Sequence, residues 1–200
     1  MGFALLVTLP SLPPSAGERQ CLRLKPRYRG GMTSGIRLLV LADTHVPQRA
    51  RALPEQVWRA VDEADLVIHA GDWNSAGMLD ALQARARRLV GVHGNNDGPE
   101  LRARLPEIAH GEAGGIRFAV VHETGAKQGR ERRCDEAFAD LDVLFFGHSH
   151  IPWDTVTPLG LRLLNPGSPT DRRRQPHATY LTAVAAGGEL REVRFVPVER

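Results

Sequence analysis

The feature that most constrains the fold of this chain is an alternation of short apolar segments with amphipathic ones, which begins at residue 36. Ile36–Ala42 is a nearly continuous apolar run, typical of a strand buried on both faces of a sheet. Pro54–Val61 has the pattern of a helix with proline near its first turn. Asp65–Ala70 is strand-like again. Strands that alternate with helices predict an α/β layered fold.

The alternation continues along the chain and then gives way to short β segments. The further predicted elements are helix Ala76–Arg87, strand Leu89–His93, a short helix Pro99–Leu105, strand Gly115–Val121, helix Arg130–Leu141 and strand Val143–Phe146. After His150 the predicted strands are Asp154–Thr157, Leu161–Leu164, Ala178–Ala186 and Leu190–Val196. We expect this β-rich tail to form a second sheet packed on the first.

Composition favours one domain that is not a nucleic-acid-binding protein. Two hundred residues with 42% hydrophobic content suit a single well-packed domain, which we place at residues 32–200. The formal charge is +3, but residues 1–31 alone carry five basic groups against one acid, which leaves the remaining 169 residues at −1. Nucleic-acid-binding domains usually carry the basic surface on the folded part, so this distribution gives no strong nucleic-acid signal.

Residues 1–31 differ from the rest of the chain. We interpret them as a disordered extension or as the product of a misassigned start codon, because Met32 directly precedes the first predicted strand. No apolar run approaches the roughly 18 residues that a membrane span requires. The chain has two cysteines, too few for a disulfide framework, and this favours a cytoplasmic location.

Polar residues that can bind metals follow each of five predicted strands. Their motifs are Asp-x-His, Gly-Asp, Gly-Asn-Asn-Asp, His and Gly-His-x-His, and their potential metal ligands are Asp43, His45, Asp72, Asn95, His122, His148 and His150. Ligands of open α/β sheets bind beyond the carboxyl ends of the strands, so the five loops are expected to converge. Each motif alone is a common turn or cap, but all five in order indicate a dinuclear site of oxygen and nitrogen ligands.

This order of motifs resembles the calcineurin-like metallophosphoesterases over roughly residues 36–197. The small size and the turn at Asn165–Ser168 are similar to the small prokaryotic phosphodiesterases of that superfamily, and the fold also resembles the retromer scaffold subunit of eukaryotes. The resemblance implies a four-layer α/β/β/α sandwich of two mixed sheets flanked by helices. It also implies two metal sites that share Asp72: one formed by Asp43, His45 and His150, the other by Asn95, His122 and His148.

Two metal ions suit phosphodiester hydrolysis for a physical reason. Cations about 3.5–4 Å apart neutralise the anionic phosphate, align the attacking and leaving oxygens, and lower the pKa of bound water. Imidazole and carboxylate ligands without thiolate suit Mn²⁺, which is our first choice, as well as Ni²⁺, Zn²⁺ or Fe. The sequence therefore predicts a metal-dependent hydrolase of small phosphodiesters and leaves open whether it forms a homo-oligomer.

Other residues are assigned less specific roles. Larger relatives carry a histidine where this chain has Asn96, and that histidine helps to protonate the leaving group. An amide cannot act as a general acid, so we expect a preference for good leaving groups or for substrates that bring their own acid. We also expect Asn96 to contact substrate. Asp97 either orients neighbouring groups or caps a turn. Arg172, in a basic cluster, is a candidate phosphate contact or a solvated charge. For His69, His93, Trp73 and Trp153 we expect hydrogen bonding or core packing.

Two alternatives to a phosphodiesterase remain. One is a protein-interaction scaffold with the same fold, like the retromer subunit, in which catalysis is lost. All seven ligand positions hold residues competent to bind metal, which favours an enzyme. The other is a phosphomonoesterase, which Asn96 argues against because the leaving groups of cellular monoesters are usually poor.

Overall fold

The computed structural model describes residues 35–199 and the backbone of Cys21–Leu22. The predicted extension covers residues 1–31, and apart from Cys21–Leu22 it lies outside the described residues. The strands are β1 Cys21–Leu22, β2 Ile36–Leu41, β3 Leu66–His69, β4 Leu89–Gly91, β5 Ile108–Ala113, β6 Ile116–Val121, β7 Val143–Phe145, β8 Trp153–Val156, β9 Arg162–Asn165, β10 Thr179–Ala186 and β11 Glu189–Pro197. The helices are α1 Glu55–Glu63, α2 Ala76–Arg85, α3 Pro99–Arg104 and α4 Arg130–Ala137.

The strands form two mixed sheets. The six-stranded sheet has the order β1-β5-β6-β7-β9-β8, and the five-stranded sheet has the order β11-β10-β2-β3-β4. Strands β2, β3 and β4 are parallel, as are β6 and β7. The prediction that the tail forms its own sheet is wrong. Strands β8 and β9 extend the sheet of β7, whereas β10 pairs antiparallel with β2.

Three apolar clusters hold the layers together. The central cluster fills the space between the sheets and includes an edge-to-face pair of Phe118 and Phe145 with centroids 5.7 Å apart. Val57 of α1 and Leu79 of α2 belong to the cluster on the outer face of the five-stranded sheet. Cys134 of α4 belongs to the cluster on the outer face of the six-stranded sheet. The four-layer α/β/β/α architecture implied by the family resemblance is confirmed.

The helices are amphipathic pieces that each cover one sheet face. Val57 and Val61 lie one turn apart on α1 and are fully buried. Helix α2 begins at a Ser75 cap, whose Oγ accepts a hydrogen bond from the Met78 amide at 3.2 Å. Helices α2 and α4 end two and four residues earlier than the sequence pattern predicts. Within the described ranges, no helix is long and apolar enough to cross a membrane.

Candidate metal centre

The loops that follow β2, β3, β4, β6 and β7 meet at one place, at the carboxyl ends of these strands. Unusual backbone geometry shapes them. Six residues other than glycine adopt positive φ here, and they are Asp43, His45, Asp72, Asn74, His148 and His150, with φ between 46° and 71°. Such conformations cost of order 1–3 kcal/mol each and concentrate at functional sites. Of these residues, Asp43, His45, Asp72 and His150 are buried.

The first group of predicted ligands converges in a buried position. The Nε2 atoms of His45 and His150 lie 3.1 Å apart. Oδ1 of Asp43 is 3.3 Å from Nε2 of His150 and 3.8 Å from Nε2 of His45. Ligand atoms about 2.1 Å from a shared tetrahedral ion lie about 3.4 Å apart, so this spacing fits one ion.

The Asp43 carboxylate provides a further indication that a cation fits here. Its Oδ2 accepts a hydrogen bond from the His148 amide at 2.9 Å, whereas its buried Oδ1 has no hydrogen-bond partner within the described part of the chain. A buried carboxylate oxygen without a partner is costly. A bound cation would satisfy this oxygen.

The second group lies beside the first and is more open to solvent. Oδ1 of Asn95 is 2.9 Å from Nε2 of His122 and 3.0 Å from Nδ1 of His148. Exposed Glu123, which follows His122, has a carboxylate oxygen 3.7 Å from Nδ1 of His148. Glu123 is a possible fourth ligand that the sequence reasoning passed over, although its position next to His122 was a usable signal.

Asp72 lies between the two groups. Its Oδ2 is 3.7 Å from Nε2 of His45 in the first group and 3.4 Å from Nε2 of His122 in the second. The Asn96 amide donates to Oδ1 at 2.9 Å, and Nδ2 of Asn96 donates to Oδ2 at 2.6 Å. The structure therefore brings all seven predicted ligands together, with Asp72 between the two groups.

Hydrogen bonds at Nδ1 orient three of the imidazoles. Nδ1 of His122 donates to the Ala70 carbonyl at 2.7 Å, and Nδ1 of His150 donates to the Asp171 carbonyl at 2.7 Å. Nδ1 of His45 pairs with the side-chain oxygen of Asn74 at 2.9 Å. Such partners fix the ring orientation and leave Nε2 of each ring directed into the site.

Hydroxyl groups of the loop after β9 support the first group from behind. Oγ of Ser168 donates to the Asp43 carbonyl at 2.7 Å, and Oγ1 of Thr170 donates to the Thr44 carbonyl at 2.7 Å. The turn at Asn165–Ser168 thus anchors the loop that follows β2. Single-sequence reasoning gave no signal for these long-range contacts.

Asp97 and His69 have supporting positions. The Asp97 carboxylate accepts hydrogen bonds from the backbone amides of Asp72, Asn74 and Gly94 at 3.0, 2.8 and 2.7 Å, so it orients the loop that carries Asp72. His69 is buried, pairs with Oγ1 of Thr44 at 3.1 Å and stacks on a neighbouring indole. Both side chains hold ligand loops in place.

Arg172 makes a backbone contact, and the two tryptophans pack in apolar clusters. The Arg172 guanidinium donates to the Gln175 carbonyl and lines a separate cavity of about 730 Å³ that also contains His177. Trp73 is fully buried and donates to the Val92 carbonyl at 2.8 Å, as expected for core packing. Trp153 is half-buried and packs on the cluster beneath α4.

A charged pair, Asp72 and His122, dominates the electrostatics of the site. Burial disfavours charge on both groups, but hydrogen bonds from His122 and Asn96 hold the pKa of Asp72 well below its usual range. Burial also opposes the charge of His122, but the Asp72 and Asp43 carboxylates outweigh it and raise the pKa of this imidazole to about 9. In the metal-free protein both ring nitrogens of His122 therefore carry protons at neutral pH.

This raised pKa predicts a pH dependence of metal binding. In the metal-free protein the charged His122 contributes stability that is fully present below pH 6.5, its unperturbed pKa, and is lost as the pH rises through about 9. A metal at Nε2 must displace that proton, so we expect the affinity of the second site to rise between pH 6.5 and 9. Calorimetry in buffers of different ionisation enthalpy should show about one proton released. A pH-independent affinity would contradict this assignment of His122.

Arg102 of α3 is a residue that sequence reasoning missed, because an arginine on a short exposed helix resembles a solvated charge. Its Nε donates to the Asp97 carbonyl at 2.8 Å. Its Nη2 donates to the carbonyls of Gly94 and Asn95 at 2.9 and 3.1 Å. One guanidinium thus fixes the whole loop that presents Asn95.

We expect Arg102→Gln to weaken binding at the second site by about 10- to 100-fold and to leave the first site nearly unchanged, because the Asn95 loop loses its clamp. Titration with Mn²⁺ followed by calorimetry should resolve the two sites. Arg104→Gln is the matched control, since Arg104 lies on the same helix but pairs with Asp80 on the surface. Equal affinities in both variants would show that the clamp is unimportant.

Comparisons with known proteins agree with this geometry. Residues 36–187 match the model of the calcineurin-like phosphoesterase superfamily domain. A Methanocaldococcus jannaschii protein named "Probable metallophosphoesterase MJ0623" is 34% identical over 162 residues, which cover 80% of each chain. The solution structure of Thermotoga maritima protein TM1076 is 32% identical, with a TM-score of 0.66 over 82% of this chain and 99% of that one.

A more distant match concerns the fold alone. The crystal structure of Vps29 complexed with Zn²⁺ from Entamoeba histolytica is 20% identical, with a TM-score of 0.62 over 81% of this chain and 99% of that one. The family model covers most of the described residues, and the Methanocaldococcus jannaschii relative matches over four fifths of the chain. The chain therefore belongs to the calcineurin-like phosphoesterase superfamily.

Proposed function

We propose that this chain is a phosphodiesterase that uses two divalent metal ions. The observation that carries the proposal is the position of Asp72, whose Oδ2 lies within 3.7 Å of Nε2 of His45 and 3.4 Å of Nε2 of His122. One charged carboxylate oxygen between two sets of ligands suits a pair of ions. Residues 32–200 would form the single catalytic domain.

The residues divide into two sets of ligands around Asp72. Asp43, His45 and His150 would hold the buried ion, and Asn95, His122 and His148 would hold the more exposed one. Bound ions supply positive charge that stabilises the phosphoryl transition state and lower the pKa of a coordinated water. The ligand types suit Mn²⁺ first, with Ni²⁺, Zn²⁺ or Fe as alternatives. Cytoplasmic residence, favoured by the low cysteine content, belongs to the same proposal.

The loop after β4 supplies the remaining groups. Asn96 holds the Asp72 carboxylate through two hydrogen bonds, and the residue is exposed, so a substrate oxygen can reach it. The Asp97 carboxylate positions Asp72 because it accepts a hydrogen bond from the Asp72 backbone amide. Its other oxygen accepts one from the Asn74 amide, so both oxygens are occupied. We therefore assign Asn96 to substrate contact and Asp97 to positioning.

Hydrolysis of bis-nitrophenyl phosphate and of nitrophenyl phosphate in the presence of Mn²⁺, Ni²⁺ or Zn²⁺ tests this function. We expect turnover of the diester to exceed that of the monoester with at least one of the metals. A preference for the monoester would support the phosphomonoesterase alternative. Metal binding without turnover of either compound would support the scaffold alternative, with which the Vps29 fold is compatible.

Asn96→His provides a sharper test of the missing general acid. Histidine can donate a proton to the leaving oxygen, and general acid catalysis contributes about 10²- to 10⁴-fold. We expect the substitution to accelerate hydrolysis of alkyl diesters with poor leaving groups and to change the rate for nitrophenyl diesters little. The slope of log kcat against leaving-group pKa should become shallower. An unchanged slope would remove the explanation based on Asn96.

A further inference from the structure

A cleft of about 350 Å³ opens beside the ligands proposed for the more exposed metal. Gly94, Asn95 and His122 are among its lining residues, so a phosphate at the metal centre would have one ester substituent directed toward the cleft. Clefts of this size accommodate small organic groups. The lining of the cleft should therefore determine which substituent is accepted.

One wall of the cleft is apolar. Ile108 of β5 and Val121 of β6 are direct partners in the antiparallel register, so their side chains lie on the same sheet face. Phe138, at the end of α4, contributes to the same wall and packs on the cluster that contains Val121. Ile108 is 44% exposed, one of four large hydrophobic residues with such exposure in the described chain. An exposed apolar surface beside a polar site is typical of a ligand contact.

Charged residues also line the cleft. Arg102 and His93 lie on the side of Asn95, and the Arg102 guanidinium is held there by backbone carbonyls. Glu107 and Glu123 also line the cleft. The basic group suits the phosphate, whereas the Glu107 carboxylate disfavours a second negative charge on the substituent.

From this division we propose that the cleft selects phosphodiesters in which one substituent is an uncharged, apolar ring, and that Ile108 is a specificity-determining residue. The inference rests on the proposed function for the placement of the phosphate. A flat ring against Ile108, Val121 and Phe138 gains contact area, which a small alkyl group cannot. A substituent with its own phosphate or carboxylate is repelled by the Glu107 carboxylate.

Calorimetric titration of the Mn²⁺-loaded protein with diphenyl phosphate and dimethyl phosphate tests the inference. We expect diphenyl phosphate to bind at least about tenfold more tightly. Ile108→Asn should weaken the binding of diphenyl phosphate several-fold and leave the affinity for dimethyl phosphate unchanged. Ile108→Phe should preserve the preference for diphenyl phosphate. A bis(4-carboxyphenyl) ester should bind more weakly than diphenyl phosphate.

Leu159→Asn is the control, because Leu159 is 77% exposed and does not line the cleft. Equal affinities of the wild-type protein for the two diesters, or an Ile108→Asn variant with unaltered selectivity, would overturn the inference. Turnover of diesters without ring selectivity would reject this inference alone. Ring-selective binding without any turnover would reject the proposed hydrolysis and preserve the selectivity of the cleft.

Discussion

Asp72→Asn is expected to abolish binding of both metal ions at micromolar concentrations and to reduce turnover roughly a thousandfold. Asp72 stays ionised in the folded protein because hydrogen bonds hold its pKa far below the usual range, in spite of its burial. A neutral amide keeps the shape but offers one weak oxygen in place of two charged ones. Metal ions contribute several kcal/mol to phosphoryl transfer, and each 1.36 kcal/mol is a factor of ten in rate.

Metal content after gel filtration, together with kcat/KM for bis-nitrophenyl phosphate, measures this effect. Asp80→Asn is a suitable control, because Asp80 is an exposed carboxylate that pairs with Arg104. The control is expected to retain two ions per chain and wild-type turnover. An Asp72→Asn protein that still bound two ions and hydrolysed the diester at the wild-type rate would contradict the bridging role.

Gly94→Ala should impair the site without removing any ligand. A methyl group at this position would clash with Oδ1 of Asp72 and would stand only 2.5 Å from the Asp72 amide nitrogen. Both Asp72 and the Asn95 loop would have to move. A displacement of about 1 Å in a catalytic site can cost about a hundredfold in rate, and we expect a loss of that order in kcat/KM and weaker binding of the second ion.

Gly98→Ala, four residues along the same loop, is the matched control. An added Cβ at Gly98 meets no atom within 4 Å, and its φ of −74° is ordinary for any residue. Activity and thermal unfolding of this variant should match those of the wild type. If the two variants behaved alike, the close approach of Gly94 to Asp72 would not be what the site requires.

The sequence predicted the participants of the site better than the arrangement of the sheets. The seven candidate ligands could be predicted because metal chemistry restricts residue types and because each follows an apolar strand. Strand β5 was missed, since its sequence contains His110, Gly111 and Glu112 and lacks an apolar run. The tail was assigned to one sheet because pairing partners far apart in sequence, such as β2 and β10, leave no local pattern.

The contacts that hold the ligand loops in place could not be predicted from the sequence either. The clamp of Arg102 and the hydroxyl of Ser168 act on backbone carbonyls, which every residue possesses, so no residue type marks the partner. The positive φ of Asp43 and His148 likewise has no marker in the sequence, because neither residue is glycine. These features become visible only when the two sheets are brought together.

Diffraction from crystals soaked in Mn²⁺, recorded at an energy where manganese scatters anomalously, tests the central claim most directly. We predict two anomalous peaks about 3.5–4 Å apart, with Asp72 between them. Asp43, His45 and His150 should surround one peak, and Asn95, His122 and His148 the other. A single peak, or two peaks that do not share Asp72, would contradict the dinuclear centre on which the proposed hydrolysis depends.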